Sequence, residues 1–374
     1  MRSRSLGFKE IWFQINEGCN FSCEFCFYKY KNRDAPIREL SINALHRAMN
    51  ILKPHIRKVD GKPEFTAVFF ATEPSLSMPL IKKYTPILRG YGANRISMTT
   101  NGYALKHEDM DWIVDEKVGI AISFEGNRIR QDLMRRAKGG QSTYDKVVGN
   151  IEYLTSKGKR IQFLTLIEPI GYRYIYDAVV EMIENDYLPM YLNLATDSIT
   201  EEWNRDMLKE LEIQLRKIAQ LVIDEPSLLR KIGPYPRVFT RIKGKIRRPL
   251  FRIDDGRCGA GRGSVAVDID GHIMLCQKFL GVKDPLFTLE KDGAIDVEKV
   301  LWWRKQRVIS GTSMLPMLNT CFYTNWVMTG DPFKMSERYT IPYLYYNRGL
   351  ILPVINKMLA DEVYANKVRE LFST

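Results

Sequence analysis

Short apolar runs alternate with helical patterns between Trp12 and about Ile223. Runs rich in Val, Ile, Phe and Thr occur at 11–16 (IWFQIN), 65–71 (FTAVFFA), 95–100 (RISMTT), 118–124 (VGIAISF), 160–167 (RIQFLTLI) and 190–195 (MYLNLA). This composition is typical of strands buried in a parallel sheet. Helical spacing of apolar residues predicts helices at 41–52, 78–89, 107–116, 142–157, 173–185 and 200–222.

This alternation predicts an α/β fold in which helices cover a parallel sheet that is open or partly closed into a barrel. Such sheets bind ligands at the carboxyl ends of their strands. The segment NEGCNFSCEFCFY (16–28) follows the first predicted strand and contains three cysteines. We therefore expect these cysteines at the edge of the sheet where ligands bind.

The pattern changes near residue 225, where a segment with three prolines is followed by a basic stretch. The sequence SVAVDI, a DG turn and HIMLCQ then predict a β-hairpin. The last part, 348–372, predicts one amphipathic helix. Its apolar face would comprise Leu350, Val354, Ile355, Met358, Leu359, Val363 and Leu371. These changes predict three parts: a partial barrel at 1–230, a smaller α+β domain at 231–335 and a helical tail at 336–374.

Composition and charge narrow the class of protein. Hydrophobic residues form 45% and charged residues 27% of the 374 residues, which is typical of globular chains. No signal peptide and no apolar run of about 18 residues is evident, which predicts a cytoplasmic protein that does not span a membrane. The net charge of +12 suits an acidic partner, although it equally fits a basic solvated surface. No zinc-finger, RRM or KH signature is present, which disfavours nucleic acid as the partner.

The clustered cysteines predict a metal site. Cys19, Cys23 and Cys26 have the spacing C-x3-C-x2-C, and thiolates are soft ligands suited to zinc, copper(I) or iron–sulfur clusters. A structural zinc site fills all four positions, usually with a distant second pair, and none of the four histidines is close in sequence. Three cysteines on a four-iron cluster would leave one iron open for a substrate or cosubstrate.

This motif, with Phe25 before the last cysteine, resembles the signature of the radical S-adenosylmethionine (SAM) superfamily. The resemblance implies a [4Fe–4S] cluster held by Cys19, Cys23 and Cys26, whose fourth iron is chelated by SAM. It also implies that an electron from the cluster cleaves SAM to a 5′-deoxyadenosyl radical, which abstracts a hydrogen from carbon. Phe25 would then pack near the adenine.

Further motifs at successive predicted strand ends resemble those of the peptide-modifying branch. ATEP (71–74) is similar to GGEP, with both glycines replaced, and implies that Glu73 binds the SAM amino group. TTNG (99–102) resembles the ribose-side motif, which implies Thr99 and Asn101 as contacts. SFEG (123–126) is similar to SxDG, which implies Ser123. Arg135 would hold the SAM carboxylate, a task for which a bidentate guanidinium is suited. Each motif alone also fits an ordinary polar loop, so the order along the chain is what favours this interpretation.

The remaining cysteines, Cys258, Cys276 and Cys321, resemble the start of a SPASM/twitch domain, which holds auxiliary iron–sulfur clusters. A full SPASM module has seven cysteines, so the three here imply at most one auxiliary cluster, as in the twitch form. The alternative is that these are buried, unligated cysteines. His272 is a poor fourth ligand because it lies on the predicted hairpin.

The resemblance implies an enzyme that oxidises a peptide at carbon, for example by crosslinking. It implies a flavodoxin or ferredoxin as electron donor and, since ten residues precede the first predicted strand, a separate leader-recognition protein. An acidic leader could be attracted by the basic residues Arg237, Arg241, Lys243, Lys245, Arg247, Arg248 and Arg252.

Several alternatives remain open at this point. Gln277 follows Cys276 at the position where sulfatase maturases have an Asp that acts as the base. An amide cannot accept a proton in that role, which argues against the sulfatase-maturase reaction. Candidate proton acceptors are Asp268, Asp270, Tyr235 and Tyr323. Other functions would be a twitch-type dehydrogenase or epimerase of a small molecule such as an aminosugar, or a non-catalytic iron–sulfur protein that binds RNA and does not cleave SAM.

Overall fold

The computed structural model describes residues 5–26, 28, 37–195, 202–236, 259–306, 321–334 and 336–372. The six predicted strands are present and form parallel neighbours in chain order. They are β1 (Glu10–Gln14), β2 (Phe65–Phe70), β3 (Ala93–Thr100), β4 (Gly119–Ser123), β5 (Ile161–Ile167) and β6 (Met190–Leu194). The predicted α/β class with a parallel sheet is confirmed.

Helices follow these strands and cover the outer face of the sheet. They are α1 (Ile42–Leu52), α2 (Met78–Gly90), α3 (His107–Asp115), α4 (Arg128–Met134), α5 (Tyr144–Ser156), α6 (Ile175–Glu184) and α7 (Arg205–Asp224). The sequence pattern did not predict α4, because this helix exposes Ile129 and Leu133 while it buries Arg130 and Gln131. Helix α7 begins later than predicted, at the residue after Asn204, whose side chain accepts hydrogen bonds from the first turn.

The two faces of the sheet differ in burial. Side chains such as Phe13, Phe69 and Ile122 are fully buried on the outer face. The inner positions are half-exposed and mostly small or polar, and the strand register aligns them with one another. They include Ser97, Thr99, Ala121, Ser123 and Gln162. A barrel with a packed interior is filled by bulky branched residues instead, so the inner face here forms an open groove, which we call the lumen.

Both edges of the sheet are extended by residues beyond 230. The predicted hairpin is present as β8 (Ser264–Val267) and β9 (Ile273–Met274), and β8 pairs in parallel with β1. A short strand, β7 (Ile232–Gly233), pairs with β6 at the other edge. The nine strands therefore run in the order β9-β8-β1-β2-β3-β4-β5-β6-β7. The division at 230 and 335 stays a prediction, and the sheet continues across the first of these boundaries.

The C-terminal part is helical, but the prediction of one helix over 348–372 is wrong. The described helices are α8 (Val297–Lys305), α9 (Phe322–Thr329), α10 (Glu337–Tyr346), α11 (Leu352–Ala360) and α12 (Glu362–Leu371), and a π-helical turn covers Asn347–Ile351. Asp361 is extended and caps α12 through its side chain, which interrupts the periodicity. Leu359 and Val363 are consequently 68% and 70% exposed.

Smaller elements complete the chain. Two-residue strands pair at Lys58–Val59 with Lys62–Pro63 and at Glu290–Lys291 with Ala294–Ile295. Among the described helices, none has both the length and the apolar character needed to cross a bilayer.

Candidate active site

The cysteine loop, residues 16–26, leaves the carboxyl end of β1 and is held from several sides. Its backbone pairs with the segment 136–138 that follows α4: the N–H of Ser22 donates to the Arg136 carbonyl at 3.0 Å, and the N–H of Lys138 donates to the Asn20 carbonyl at 2.8 Å. Backbone pairing of this kind restricts the loop without using its side chains. The cysteines thus lie at the predicted edge of the sheet.

Asn16 ties the cysteine loop to the loop after β2. Its side chain is fully buried, and its Nδ2 donates to the Glu73 carbonyl at 3.0 Å and to Ser77 Oγ at 2.9 Å. Its Oδ1 accepts from the N–H of Gly18 at 3.0 Å and from Thr72 Oγ1 at 2.8 Å. The sequence reasoning missed Asn16. The available signal was a polar amide directly after an apolar strand and before the cysteines.

The loop after β2 keeps an unusual backbone although both motif glycines are replaced. Ala71 and Thr72 have φ angles of 73° and 49°, in the left-handed region that glycine adopts most easily. Thr72 Oγ1 also lies 2.9 Å from the Asn16 carbonyl, so its single proton is shared between this oxygen and Asn16 Oδ1. These bonds offset part of the strain, which typically costs about 1–3 kcal/mol per residue.

Glu73 is buried and engages the next strand end. Its Oε1 accepts from the N–H of Ser75 at 3.0 Å and from Thr100 Oγ1 at 2.5 Å, and its Oε2 accepts from the N–H of Asn101 at 2.6 Å. Burial raises the pKa of the Glu73 carboxyl, and these hydrogen bonds oppose that effect. Asn101 Nδ2 in turn donates to Asn20 Oδ1 at 2.7 Å. Glu73 and Asn101, both predicted to contact SAM, therefore also hold the loops at the ends of these strands together.

Arg135 lies against the cysteine loop on the other side. Its guanidinium is 4.9 Å from the centre of the Phe25 ring, a cation–π contact, and its Nε donates to Glu125 Oε1 at 2.7 Å. Burial alone would lower the pKa of Arg135, but the nearby Glu125 carboxylate and Cys23 sulfur hold it above its ordinary value. Arg135 therefore carries its charge next to the cysteines.

Thr99 and Ser123 lie on the lumen face of neighbouring strands. Thr99 stands opposite Ala121 and Ser123 stands opposite Leu164 in the register of the sheet. Both side chains are half-buried. Their role as SAM contacts stays a prediction, and their position at the carboxyl ends of β3 and β4 is compatible with it.

The three cysteines of the loop are a donor set that an iron–sulfur cluster uses. Among the described residues, no three His, Cys, Asp or Glu side chains converge on one point as a single ion requires. A four-iron cluster binds each cysteine at a different iron, so it needs a wider spacing. Cys19 Sγ accepts the N–H of Phe21 at 3.4 Å, and burial, with the nearby Glu73 carboxylate, raises the pKa of Cys19 to about 12. Metal binding at this thiol would therefore have to displace a proton.

The second cysteine set is described only in part, because Cys258 lies outside the described residues. Cys276 is buried and Cys321 directly precedes α9. The two segments pack together through aromatic rings: the Phe279 ring centre lies 5.4 Å from that of Tyr323 and 6.2 Å from that of Trp326. The auxiliary cluster at these cysteines stays a prediction. His272 pairs with Glu290 on the exposed hairpin.

A cavity of about 620 Å³ is lined by residues that follow Cys276 and Cys321, and Tyr28 borders it as well. Its walls include Tyr28, Lys278, Lys283, Tyr323 and Trp326. The Tyr28 hydroxyl donates to the Gln277 carbonyl at 2.9 Å, and Lys278 Nζ lies 5.6 Å from the centre of the Tyr323 ring. This volume is within the range of small-ligand sites. The sequence patterns gave no indication of the cavity.

The four candidate proton acceptors lie in different places. Tyr323 borders the cavity. Tyr235 is fully buried and its hydroxyl donates to the Leu350 carbonyl at 2.6 Å in the tail. Asp268 caps the turn of the hairpin, and Asp270 forms an exposed ion pair with Arg38. Of these four residues, Tyr323 is the one that borders the cavity described above.

Gln14 occupies the carboxyl end of β1 and follows the lumen-facing Trp12 by two residues. It is fully buried, and within the described part of the chain neither its Nε2 nor its Oε1 has a hydrogen-bond partner. An unsatisfied buried amide costs about 1–3 kcal/mol. Such a group is better explained by a ligand that pairs with it than by packing.

Gln14→Leu is therefore expected to stabilise the ligand-free chain by about 1–2 kcal/mol, because it removes an unpaired polar group. Gln131→Leu is the matched control, since the Gln131 amide is equally buried but bonds to Thr143 Oγ1 and the N–H of Glu125, and its loss should destabilise. Urea unfolding of the ligand-free variants measures both effects. A loss of stability in Gln14→Leu would show that Gln14 has a partner.

Comparison with known proteins agrees with this geometry. Residues 13–184 match the model of the radical SAM superfamily. The chain is 21% identical, over 165 residues, to the cysteine-type anaerobic sulfatase-maturating enzyme of Clostridium novyi (strain NT), and this stretch covers 43% of the chain and 44% of the relative. The chain thus spans less than half the length of the curated relative that it matches.

Similar solved structures share the fold across most of the chain. Native anSMEcpe with bound AdoMet and Kp18Cys peptide has a TM-score of 0.73 at 14% identity, covering 96% of this chain and 99% of that one. Streptococcus suis SuiB bound to precursor peptide SuiA has a TM-score of 0.60 at 15% identity, covering 89% of this chain and 76% of SuiB. At these identities the likeness is one of fold. Residues 13–184, just under half of the chain, thus match the radical SAM superfamily, a superfamily of iron–sulfur enzymes.

Proposed function

We propose that the chain cleaves SAM reductively and oxidises a peptide at carbon, for example by forming a crosslink. The observation that carries the proposal is the arrangement around the cysteine loop. Cys19, Cys23 and Cys26 lie at the carboxyl edge of an open lumen, next to a charged Arg135 and to the loops organised by Glu73. This is a binding site for a cluster with one open iron and for a ligand with a carboxylate.

In this proposal Cys19, Cys23 and Cys26 hold a [4Fe–4S] cluster, and Arg135 binds the SAM carboxylate through a charge-assisted fork. When bound, these groups supply a 5′-deoxyadenosyl radical that takes a hydrogen atom from carbon. The chain holds the cysteine loop and the loops at the strand ends in place. The helices cover the outer face of the sheet, so the lumen is the face that stays open. Forming a crosslink also requires one further electron and one proton to leave the substrate. The auxiliary cluster that Cys258, Cys276 and Cys321 would hold would be the electron acceptor, and Tyr323, beside the cavity, would take the proton as its phenolate.

A peptide substrate is supported by two observations. The similar structures of anSMEcpe and SuiB contain bound peptides. The cavity next to the second cysteine set combines aromatic walls with Lys278 and Lys283, which favours an acidic segment. The basic residues 237–252, predicted to attract an acidic leader, lie outside the described residues. The leader-recognition protein and the flavodoxin or ferredoxin donor belong to the proposal as well.

The proposed reaction differs from sulfatase maturation. Gln277 stands next to Cys276, and its amide cannot accept a proton from substrate. Its backbone carbonyl is bonded by Tyr28. In this proposal the likeness to a sulfatase-maturating enzyme therefore extends to fold and cofactors. It does not extend to the reaction, because Gln277 stands where sulfatase maturation needs a base.

Anaerobic reconstitution tests the proposal directly. With dithionite and SAM, the reconstituted chain is expected to release 5′-deoxyadenosine, and to hold about eight irons if both clusters form or about four if only the first does. Omitting dithionite should abolish the product. A chain with four or more irons that releases no 5′-deoxyadenosine would exclude a radical SAM reaction.

A charge-reversal pair tests the acidic peptide. Lys278→Glu with Lys283→Glu is expected to weaken binding of a fluorescent glutamate-rich peptide by about 10-fold at low salt, because the cavity wall changes sign. Lys58→Glu with Lys62→Glu changes the net charge equally on an exposed hairpin and should have little effect. Fluorescence anisotropy measures both. If the two pairs weaken peptide binding equally, the effect comes from the overall charge of the chain and not from the cavity wall.

A further inference from the structure

A buried ion cluster lies directly behind Arg135. Glu125 and Arg130 are fully buried and Arg135 is 9% exposed. Glu125 Oε1 accepts from Arg135 Nε at 2.7 Å, and Glu125 Oε2 accepts from Arg130 Nη2 at 3.0 Å. One carboxylate thus bridges two arginines, in a place where burying a charge without partners is costly. The sequence reasoning assigned no role to Glu125 or Arg130.

Glu125 is bound to the fold from three sides and is fully buried. Besides the two arginines, its Oε2 accepts from the N–H of Leu166 at 3.1 Å, at the end of β5. Its own N–H donates to Gln131 Oε1 at 3.1 Å on α4. The carboxylate is therefore fixed between the end of β4, the helix α4 and the end of β5.

Arg130 is fixed in the same way. Its Nη1 donates to the Gly171 carbonyl at 2.9 Å, its Nε donates to the Glu125 carbonyl at 3.1 Å, and its Nη2 also contacts the Leu166 carbonyl. This arginine therefore serves the fold and supports Glu125. Of the two arginines, Arg135 is the one that extends to the cysteine loop.

The bond to Glu125 fixes which edge of Arg135 points to the site. A guanidinium is planar and offers its donors in a rigid fork, so a fixed Nε sets the direction of Nη1 and Nη2. In the described part of the chain, no hydrogen bond engages Nη1 or Nη2. The Phe25 ring supports the same group from the loop side. The two terminal nitrogens are thereby presented as a pair to a carboxylate.

We propose that Glu125 is a positioning residue that orients Arg135 toward the SAM carboxylate and thereby sets the affinity for SAM. The proposal rests on the proposed function, because it takes SAM as the ligand. Glu125 acts through Arg135 and does not touch SAM itself.

Glu125→Asp tests this proposal in the iron-loaded chain. Aspartate is the residue of the SxDG motif at this position and keeps the charge, but it is one methylene shorter. In this chain it therefore cannot span both Arg130 and Arg135 with the geometry that Glu125 has. The dissociation constant of SAM, measured by equilibrium dialysis, is expected to rise about 10- to 100-fold, the effect of one misplaced hydrogen bond to a charged group. Iron content should stay at the wild-type level.

Two comparisons separate positioning from general damage. In an Arg135→Gln background, Glu125→Asp should change the affinity for SAM less than twofold, because the group it orients is gone. Decarboxylated SAM, which lacks the carboxylate, should bind wild type and Glu125→Asp within twofold of each other. An equal loss in both backgrounds, or for both ligands, would overturn the proposal.

Glu212→Asp is the matched structural control. Glu212 is also a buried carboxylate between two arginines, Arg216 at 2.7 Å and Arg348 at 3.4 Å, but it lies on α7. Its replacement should lower stability and leave SAM affinity unchanged. Glu125→Gln serves as a second variant, since it keeps the size and loses the charge. If neither Glu125 variant loads iron, the role of Glu125 is structural and the proposal fails. If wild type loads iron but does not bind SAM, the proposed function fails instead.

Discussion

The Cys23→Ala variant is expected to lose about four irons per chain and all measurable release of 5′-deoxyadenosine. Cys23 is buried in the cysteine loop, and its sulfur helps to raise the pKa of Arg135. Alanine removes one ligand of the cluster and leaves the loop backbone, which is held by its pairing with 136–138. Iron analysis and product quantification after anaerobic reconstitution measure both losses.

Variants of the second cysteine set provide the control for this experiment. Cys276→Ala and Cys258→Ala should lower the iron content while release of 5′-deoxyadenosine continues, because they lie outside the cysteine loop. The two classes of variant would then separate the two clusters. If Cys23→Ala still forms 5′-deoxyadenosine, the cysteine loop is not the site of SAM cleavage.

The Gly126→Ala variant is expected to reduce the free energy of unfolding by about 3–5 kcal/mol. Gly126 has a φ of 93°, and an added Cβ would lie 2.9 Å from both the Cβ and the carbonyl oxygen of Ala178 on α6. The substitution therefore adds backbone strain and a clash with main-chain atoms that cannot move alone. Denaturant unfolding of the ligand-free chain measures the change.

Gly140→Ala separates the two contributions. Gly140 has a φ of 85°, and no atom lies within 4 Å of the position that its Cβ would take. This variant is expected to lose only the strain, about 1–2 kcal/mol. If the two variants lose the same free energy of unfolding, the close approach of α6 to Gly126 does not add to the cost of the substitution.

The strands and the position of the site could be predicted because they depend on local patterns. The apolar runs of β1 to β6 have the composition of buried parallel strands, and the cysteines directly follow the first of them. A parallel sheet places the ends of these strands at one edge, so the motifs that follow β2, β3 and β4 had to meet there. Distance along the chain was therefore no obstacle to this prediction.

The support of the site could not be predicted because it consists of buried polar groups. Asn16 bonds to the backbone of Glu73, and Arg130 bonds to Glu125 and to the backbone of Gly171. No periodicity marks such pairs. Helix α4 shows the same difficulty, since it buries polar residues and exposes Ile129 and Leu133. The hairpin was predicted correctly as a local unit, but its pairing with β1 depends on residues more than 250 positions away.

The left-handed backbone at Ala71 and Thr72 bears on how relatives of this chain can be found. The turn keeps the dihedral angles that two glycines would adopt, and hydrogen bonds from Thr72 to Asn16 help to hold it. A pattern search that requires glycine letters before Glu-Pro would discard this chain. A search that compares backbone conformation would retain it, together with any other chain that has exchanged those glycines for a polar side chain able to anchor the turn.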